Sequence, residues 1–292
     1  MDRELPPGLQ HARACFEQAC RLDVMVRKPG NVSVASPGHR MSAGQFIASA
    51  QAAAGPLFTP GARIGERIER AVEATWAAVG CNTNLGIVLL AAPIAAAIEH
   101  PGDLRDSVHT VLAGLDLDDS RAAFRAIARA NPGGLGSAAA QDVHAAPTLG
   151  LRDAMALAAG RDSIARQYAN GFADLFDIGL PQFTGQSVLP AAEGPVDAAT
   201  AAATQRVFLE FLGRFPDSHI VRKHGEAVAQ TVIDAAQGWR GLAAPESDPR
   251  FAAWDDSLKV RGINPGTSAD LTVATLLLAL LAGPSDRPWH GS

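Results

Sequence analysis

The chain has little that could make a disulfide framework, a zinc knuckle or a membrane span. It holds only 3 cysteines, Cys15, Cys20 and Cys81. Their number is odd and no two form a Cys-x-x-Cys pair, which argues against disulfide and structural-zinc scaffolds. They read as reduced, mostly buried thiols of a cytoplasmic protein. The longest apolar run, Ile87 to Ile98, is interrupted by Pro93 and is short of the roughly 20 residues a spanning helix needs. Met1-Asp2-Arg3-Glu4 lacks the basic-then-apolar order of a secretory leader. No useful stretch alternates apolar and polar residues, so strands are not expected. The net charge of −5 is too small and of the wrong sign for wholesale binding of nucleic acid, although it leaves room for a local basic pocket. Internal repeats, long charge runs and dividing linkers are all missing.

Alanine is abundant. Hydrophobic residues make up 47% of the chain and aromatics only 5%. Alanine has the highest helix propensity, so this balance favours helices packed closely through small side chains. Apolar residues recur at helical spacing in Pro7–Met25 (Ala12, Cys15, Phe16, Ala19, Leu22). The same pattern returns at about Ser42–Ala54, Arg63–Val79, Asn84–Ile98, Leu104–Ala113 and Ser120–Ala130. Further helices are expected at about Thr148–Ala159, Ser163–Phe176, Val196–Leu212, Gly225–Gln237, Pro249–Lys259 and Ser268–Leu281. The reading is an all-α protein: a single multi-helix domain over residues 1–283 with buried central helices, followed by a flexible tail at 284–292. Close helix contacts through alanine are compatible with a homo-oligomer.

The most informative stretch is Asn264-Pro-Gly-Thr-Ser-Ala-Asp270. This polar turn runs into Leu271–Leu281, a helix apolar on nearly every face. Such a helix is buried, so its free N-terminal N–H groups need partners, and an anionic ligand is one of them. Thr267 or Ser268 is the expected N-cap. Asp270 falls in the first turn, where the helix dipole favours an acid, yet a buried carboxylate is costly unless paired or metal-bound. A second polar turn, Gly80-Cys-Asn-Thr-Asn-Leu-Gly86, opens the apolar Ile87 run. Its amides and hydroxyl suit a ribose or a base, and Thr83 or Asn84 also suits an N-cap.

Three more constellations stand out. Arg27-Lys28-Pro29-Gly30-Asn31 sets two cations beside a turn, suited either to phosphate or to a solvated helix C-terminus. Asp217-Ser-His219-Ile-Val-Arg222-Lys223-His224 offers an Asp-x-His spacing for a divalent cation or proton transfer, or a plain turn capped by Asp217. Arg161-Asp162-Ser-Ile-Ala-Arg166 contains a candidate functional residue in Arg166, or a surface Asp162–Arg166 pair.

Taken in order, Lys28-Pro-Gly30, Gly80-x-Asn82-Thr83-x-x-Gly86, Arg161-Asp-x-Ile-Ala-Arg166-Gln-Tyr168, Asp217-Ser-x-Ile220 and Asn264-Pro-Gly-x-Ser268-Ala-Asp270 resemble the motifs of the triphosphoribosyl-dephospho-CoA synthase family. The resemblance spans about Ala14 to Leu281. It implies a helical fold and transfer of the triphosphoribosyl part of ATP to the 2′-hydroxyl of dephospho-CoA, with adenine released. The transition state would be oxocarbenium-like, and Mg²⁺ would accompany the triphosphate. The resemblance implies catalytic roles for Asp217, Asp270 and His219, with Asp217 and Asp270 also holding the metal. It implies substrate and phosphate contacts for Lys28, Gly30, His39, Arg40, Asn82, Thr83, Asn84, Arg161, Arg166, Arg222, Asn264 and Ser268. The implied partners are nucleotides and cofactor precursors, with no nucleic acid and no membrane.

The chain departs from the family pattern at the site. After Lys28-Pro-Gly30 the family pattern continues to an acid, and this chain reads Asn31-Val32-Ser33. His39-Arg40-Met41-Ser42 replaces a His-Lys-Asp-Met-Asp type of run, and Asn84-Leu85 replaces His-Lys. These changes resemble a divergent branch found with pterin-dependent one-carbon metabolism. They open two alternatives: a transferase using phosphoribosyl pyrophosphate in pterin-type cofactor synthesis, or a non-catalytic nucleotide-binding or assembly protein.

Overall fold

In a computed structural model the chain folds as thirteen α-helices among the described residues, which are 5–134, 136, 140–183 and 194–282. No strand occurs among them, and the one β-bridge joins Gly38 to Met41. The tail expected at 284–292 lies outside the described residues, as does most of the loop expected around Pro181 to Pro195.

Two helices form the interior: α4 (Leu85–Ala97) and α13 (Gly266–Leu281) are buried on nearly every face. They pack against each other. Around them stand α1 (Pro7–Met25), α2 (Ala43–Leu57), α3 (Ile64–Val79), α5 (Leu104–Ala113), α8 (Ser163–Asn170) and α9 (Ala198–Leu212), each touching α4 or α13. Outside this shell, α6 (Leu117–Ala130) packs on α3, and α7 (Leu151–Ala158) bridges α6 and α8. A smaller hydrophobic cluster joins α9 to α10 (Ser218–His224), α11 (Glu226–Gln237) and α12 (Pro249–Val260) through Phe208, Ile220, Val232 and Phe251. No helix among the described residues is long and apolar enough to cross a membrane.

Acidic N-caps start many of these helices. Asp103, Asp116, Asp162, Asp197, Asp217 and Asp248 each accept backbone N–H bonds from the first turn of the helix they precede. The segment read as a turn after Phe215 is instead the short helix α10, with Asp217 as its cap. The helix expected over Ser163–Phe176 is shorter. It ends at Gly171, with φ of 72°, and Phe172 follows at φ of 64°.

Pro93 sits inside the buried helix α4. Proline has no N–H, so the Leu89 carbonyl four residues earlier loses its helical donor. The hydroxyl of Tyr168 on α8 donates to that carbonyl at 2.6 Å, and the ring is wholly buried. The one tyrosine of the chain thus repairs the proline gap and fixes α8 against α4. Tyr168→Phe should cost about 1–3 kcal/mol, the penalty for a buried carbonyl left without a donor. Urea denaturation would show this as a lower midpoint at an unchanged m-value.

Candidate active site

The starts of α4 and α13 converge on a single cavity of about 990 Å³. From α13 and the turn before it come Asn264, Gly266, Thr267 and Asp270. The turn before α4 contributes Asn82, Thr83 and Asn84, and α10 brings His219, Arg222 and Lys223. Phe46, Trp76, Phe124, Ile127 and Met155, from α2, α3, α6 and α7, form an apolar wall. Arg161 and Asp162 stand where α8 begins.

Gly86 explains how the two helix starts come so close. A Cβ placed there would lie 2.1 Å from Asp270 Oδ2 and 2.6 Å from Asp270 Cγ. Only a residue without a side chain lets α4 rest on the Asp270 carboxyl. Asp270 makes no hydrogen bond or ion pair among the described residues. Desolvation raises its pKa well above the ordinary carboxylate value, and the neighbouring Asp23 and Asp217 push it further in the same direction. In the ligand-free protein it is an acid that resists giving up its proton.

His219 is an imidazole held neutral. Burial, with Lys223 and Arg222 nearby, lowers its pKa to about 4. Its backbone N–H donates to Asp217 Oδ1 and Thr267 Oγ1 at 3.0 and 3.2 Å, while its Nε2 is buried with no partner. His39 also lines the cavity, and its Nε2–H donates to the Gly30 carbonyl at 2.7 Å. Arg222 pairs with Asp162 at 2.6 Å, so Asp162 serves α10 rather than the Asp162–Arg166 pair expected from their spacing. Arg161 and Lys223 are exposed on the lining and make no ion pair among the described residues.

Asn82, Thr83 and Asn84 all reach the lining, with internal work to do. Asn82 Oδ1 accepts from the Leu85 N–H at 3.1 Å, so Asn82, rather than Thr83 or Asn84, supplies the side-chain acceptor at the start of α4. Thr83 Oγ1 donates to Ser49 Oγ at 2.6 Å, and Asn84 Nδ2 donates to Thr75 Oγ1 at 3.1 Å. Cys81, expected to be buried like its fellows, is half-exposed on the same wall.

Several residues expected at the substrate lie outside the lining. Asp217 is 2% exposed, and its carboxylate is already full. Oδ1 accepts the His219 and Ile220 N–H groups, and Oδ2 accepts Ser268 N–H and Oγ–H at 2.7 and 2.8 Å. It caps α10 and pins α13 to it, and has no free oxygen for a metal. Ser268 is spent on the same bond. The expected Thr267 or Ser268 N-cap is also corrected: α13 begins at Gly266 after Pro265, and Asp217 caps it from another helix.

Lys28 is wholly buried and forms an ion pair with Asp23 Oδ1 at 3.1 Å, while also donating to the Asp23 carbonyl. It cannot reach a phosphate in the cavity without abandoning Asp23, which is the residue of this pair that faces the ligand space. Gly30 spends its N–H on Asp255 Oδ1 at 2.8 Å, and its φ of 81° together with the close Pro265 ring leaves no room for a side chain. Arg40 is exposed and outside the lining. Arg166 stacks on Phe215, its Cζ 3.7 Å from the ring centroid, and pairs with Asp174 at 2.8 Å, away from the cavity.

Sequence reasoning passed over Asp23, Asn31 and Asp162 as site residues. The signal for Asp23 was an acid on the buried face of α1, between Leu22 and Val24, five residues before Lys28. For Asn31 it was an amide in the segment after Lys28-Pro-Gly30, where the family pattern runs on to an acid.

Among the described residues no group of three or more histidine, cysteine or acidic side chains could hold a metal ion. Asp270 and Asp23 are the carboxylates here that could share a cation carried in by a polyphosphate, a common way for Mg²⁺ to bind.

Fold and cavity together define an all-α ligand-binding protein whose site is assembled where interior helices begin. The chain belongs to the ATP:dephospho-CoA triphosphoribosyl transferase family, which it matches over residues 9–288. Its fold is similar to the crystal structure of an Archaeoglobus fulgidus protein assigned as a triphosphoribosyl-dephospho-CoA synthase. That likeness has a TM-score of 0.62 at 23% identity, covering 82% of this chain and 99% of the other. No curated protein sequence matches the chain.

Proposed function

We propose that the protein transfers a triphosphoribosyl group from ATP to the hydroxyl of dephospho-CoA or a closely related nucleotide-like cofactor precursor, releasing adenine. The observation that carries this reading is the cavity itself. Asp270 lies at the meeting of two helix starts, and the unpaired cations Arg161 and Lys223 stand on the same lining. A volume of about 990 Å³ accommodates a nucleotide together with part of a second substrate.

In the transfer, the bond from ribose C1′ to the adenine nitrogen breaks and a bond from C1′ to the acceptor oxygen forms. The acceptor hydroxyl loses a proton and adenine gains one, so the step balances. Positive charge develops on the sugar ring, and the Asp270 carboxyl offsets it once the positive charge brought by the donor's cation has drawn off the proton that burial holds there. Neutral His219 offers Nε2 to the acceptor hydroxyl. The cations that depress its basicity are those a triphosphate would neutralise, so donor binding raises its strength as a base. Mg²⁺ would come with ATP as part of the donor, and Asp270 and Asp23 are the residues that would hold it and let it neutralise the triphosphate. The apolar wall around Trp76 and Phe124 suits a planar base.

The test is incubation of the purified protein with ATP, Mg²⁺ and dephospho-CoA, reading adenine by chromatography. Stoichiometric adenine is expected. In the double variant Arg161→Ala/Lys223→Ala the KM for ATP should rise about tenfold with little change in melting temperature, because both side chains are exposed and make no ion pair among the described residues. A parallel arm supplies phosphoribosyl pyrophosphate and pterin-type acceptors. The departures at Asn31-Val32-Ser33, His39-Arg40-Met41-Ser42 and Asn84-Leu85 favour this second reading, since they remove family charges. ATP binding without turnover in either arm would favour a nucleotide-binding or assembly role.

A further inference from the structure

Three polar atoms around the start of α13 have no partner that the protein supplies. Asn31 is 4% exposed and lines the cavity. Its Nδ2 donates to Asn264 Oδ1 at 3.0 Å, and its own Oδ1 is buried and unpartnered. Asn264 is left with its Nδ2 hydrogens, which meet no acceptor among the described residues. His219 Nε2 is the third such atom. They share a small volume: a Cβ built on Gly266 would stand 3.7 Å from His219 Cγ and 3.8 Å from Asn264 Nδ2.

Buried polar atoms without partners are uncommon and call for an explanation. A linked pair of amides always leaves one donor and one acceptor free. This holds whichever way the two amides are turned, since reversing both exchanges the roles and keeps the sum. A phosphate oxygen would meet the donor and be repelled by the acceptor. An ammonium would do the reverse. A hydroxyl satisfies both, because it donates one hydrogen and accepts on its lone pairs. A flat base edge also carries a donor and an acceptor, but the aromatic residues that would stack it lie on α2, α3 and α6.

We infer that Asn31, Asn264 and His219 form a neutral subsite for sugar hydroxyls, which reads the ribose of a nucleotide substrate, with Asn31 as the residue that sets the preference. The inference rests on the transfer reading for the ribosyl nature of the ligand. As an amide, Asn31 recognises a hydroxyl without adding charge beside Asp23 and Asp270. The supporting elements are rigid. The Asn31 N–H is held by the Lys28 carbonyl at 2.9 Å, and the turn is tied to α12 through Gly30 and Asp255.

The experiment is titration calorimetry with ATP, 2′-deoxy-ATP, 3′-deoxy-ATP and dephospho-CoA, and with ribose 5-phosphate against 2-deoxyribose 5-phosphate. Wild type is compared with Asn31→Leu and with the isosteric Asn31→Asp. At least one deoxy analogue should bind wild type about tenfold more weakly than its parent, the worth of one well-placed hydrogen bond. Asn31→Leu should bring that ratio below about twofold. Asn31→Asp keeps the bulk but turns Asn264 round, so that the pair presents acceptors only, and the ratio should fall below about threefold. The parent that loses most, ATP or dephospho-CoA, identifies whose ribose is read. The inference is overturned if wild type binds every analogue like its parent, if the preference survives in the folded variants, if the variants weaken binding of free adenine instead, or if no ribosyl probe binds. Hydroxyl preference without adenine release removes the transfer reading and leaves the subsite standing. Adenine release without hydroxyl preference does the opposite.

Discussion

Asp270→Asn should lower the rate of adenine release about a thousandfold while making the ligand-free protein more stable at neutral pH. The two effects have one origin. Asp270 is set against Gly86 in a desolvated wall, with Asp23 and Asp217 nearby, and every one of these features disfavours its charged form. The unfolded chain gives up this proton near the ordinary carboxylate value, whereas the native protein holds it to higher pH. Between those two values the native state binds more protons than the unfolded state, so stability falls as pH rises through that window. Asparagine has the same shape and no proton to lose. The variant should therefore match wild type at the acid end and gain on it as pH rises above the ordinary carboxylate value, as read by urea denaturation at each pH. The loss of rate follows from removing the carboxyl that faces the developing positive charge, within the roughly 10²–10⁴ that one positioned acid–base group supplies. Unchanged turnover would remove Asp270 from the chemistry. A stability difference that ignores pH would show that its environment is not the one described.

Lys28→Met should fail for a different reason, by unfolding. Lys28 and Asp23 are buried together, and the methionine would leave the Asp23 carboxylate without its counter-charge. Removing one partner of a buried pair costs about 3–5 kcal/mol. The deficit belongs to the charged form of Asp23. Burial already raises the Asp23 pKa, and Lys28 is the influence that lowers it. Without Lys28 the carboxyl takes up its proton at higher pH, so the deficit should be large at pH 8 and shrink towards pH 5. Chemical denaturation at the two pH values checks this. A lysine whose main task was to hold a phosphate would behave otherwise: its loss would weaken ATP binding and leave the denaturation midpoint in place.

The contrast between these residues shows what was legible in advance. The apolar faces of Pro7–Met25 and Leu104–Ala113 marked those helices with the observed ends, because burial of one face imposes a 3.6-residue period. The uniformly apolar runs after Asn84 and Gly266 announced α4 and α13 as interior helices, and so announced that their polar starts would be buried. Asp270, Asn82 and Asn264 were found on that logic, and His219 through its Asp-x-His spacing. Short α10 escaped it, since a helix of so few residues carries too little periodicity to distinguish it from a turn.

Charge was the unreliable guide. Lys28, Arg166 and Asp217 look alike in sequence to Arg161, Lys223 and Asp270: ionisable residues within polar motifs. Their partners separate them. Lys28 found Asp23, Arg166 found Asp174 and Phe215, and Asp217 found donors on two helices. Arg161, Lys223 and Asp270 were left with the cavity.

The order of apolar and polar residues along this chain was enough to determine that it is helical, which helices lie inside, and that their starts are polar. Which ionisable groups face a ligand was decided only when the helices packed. A side chain's role depends on whether a counter-charge or donor arrives within hydrogen-bond reach, and those partners come from segments far away in sequence.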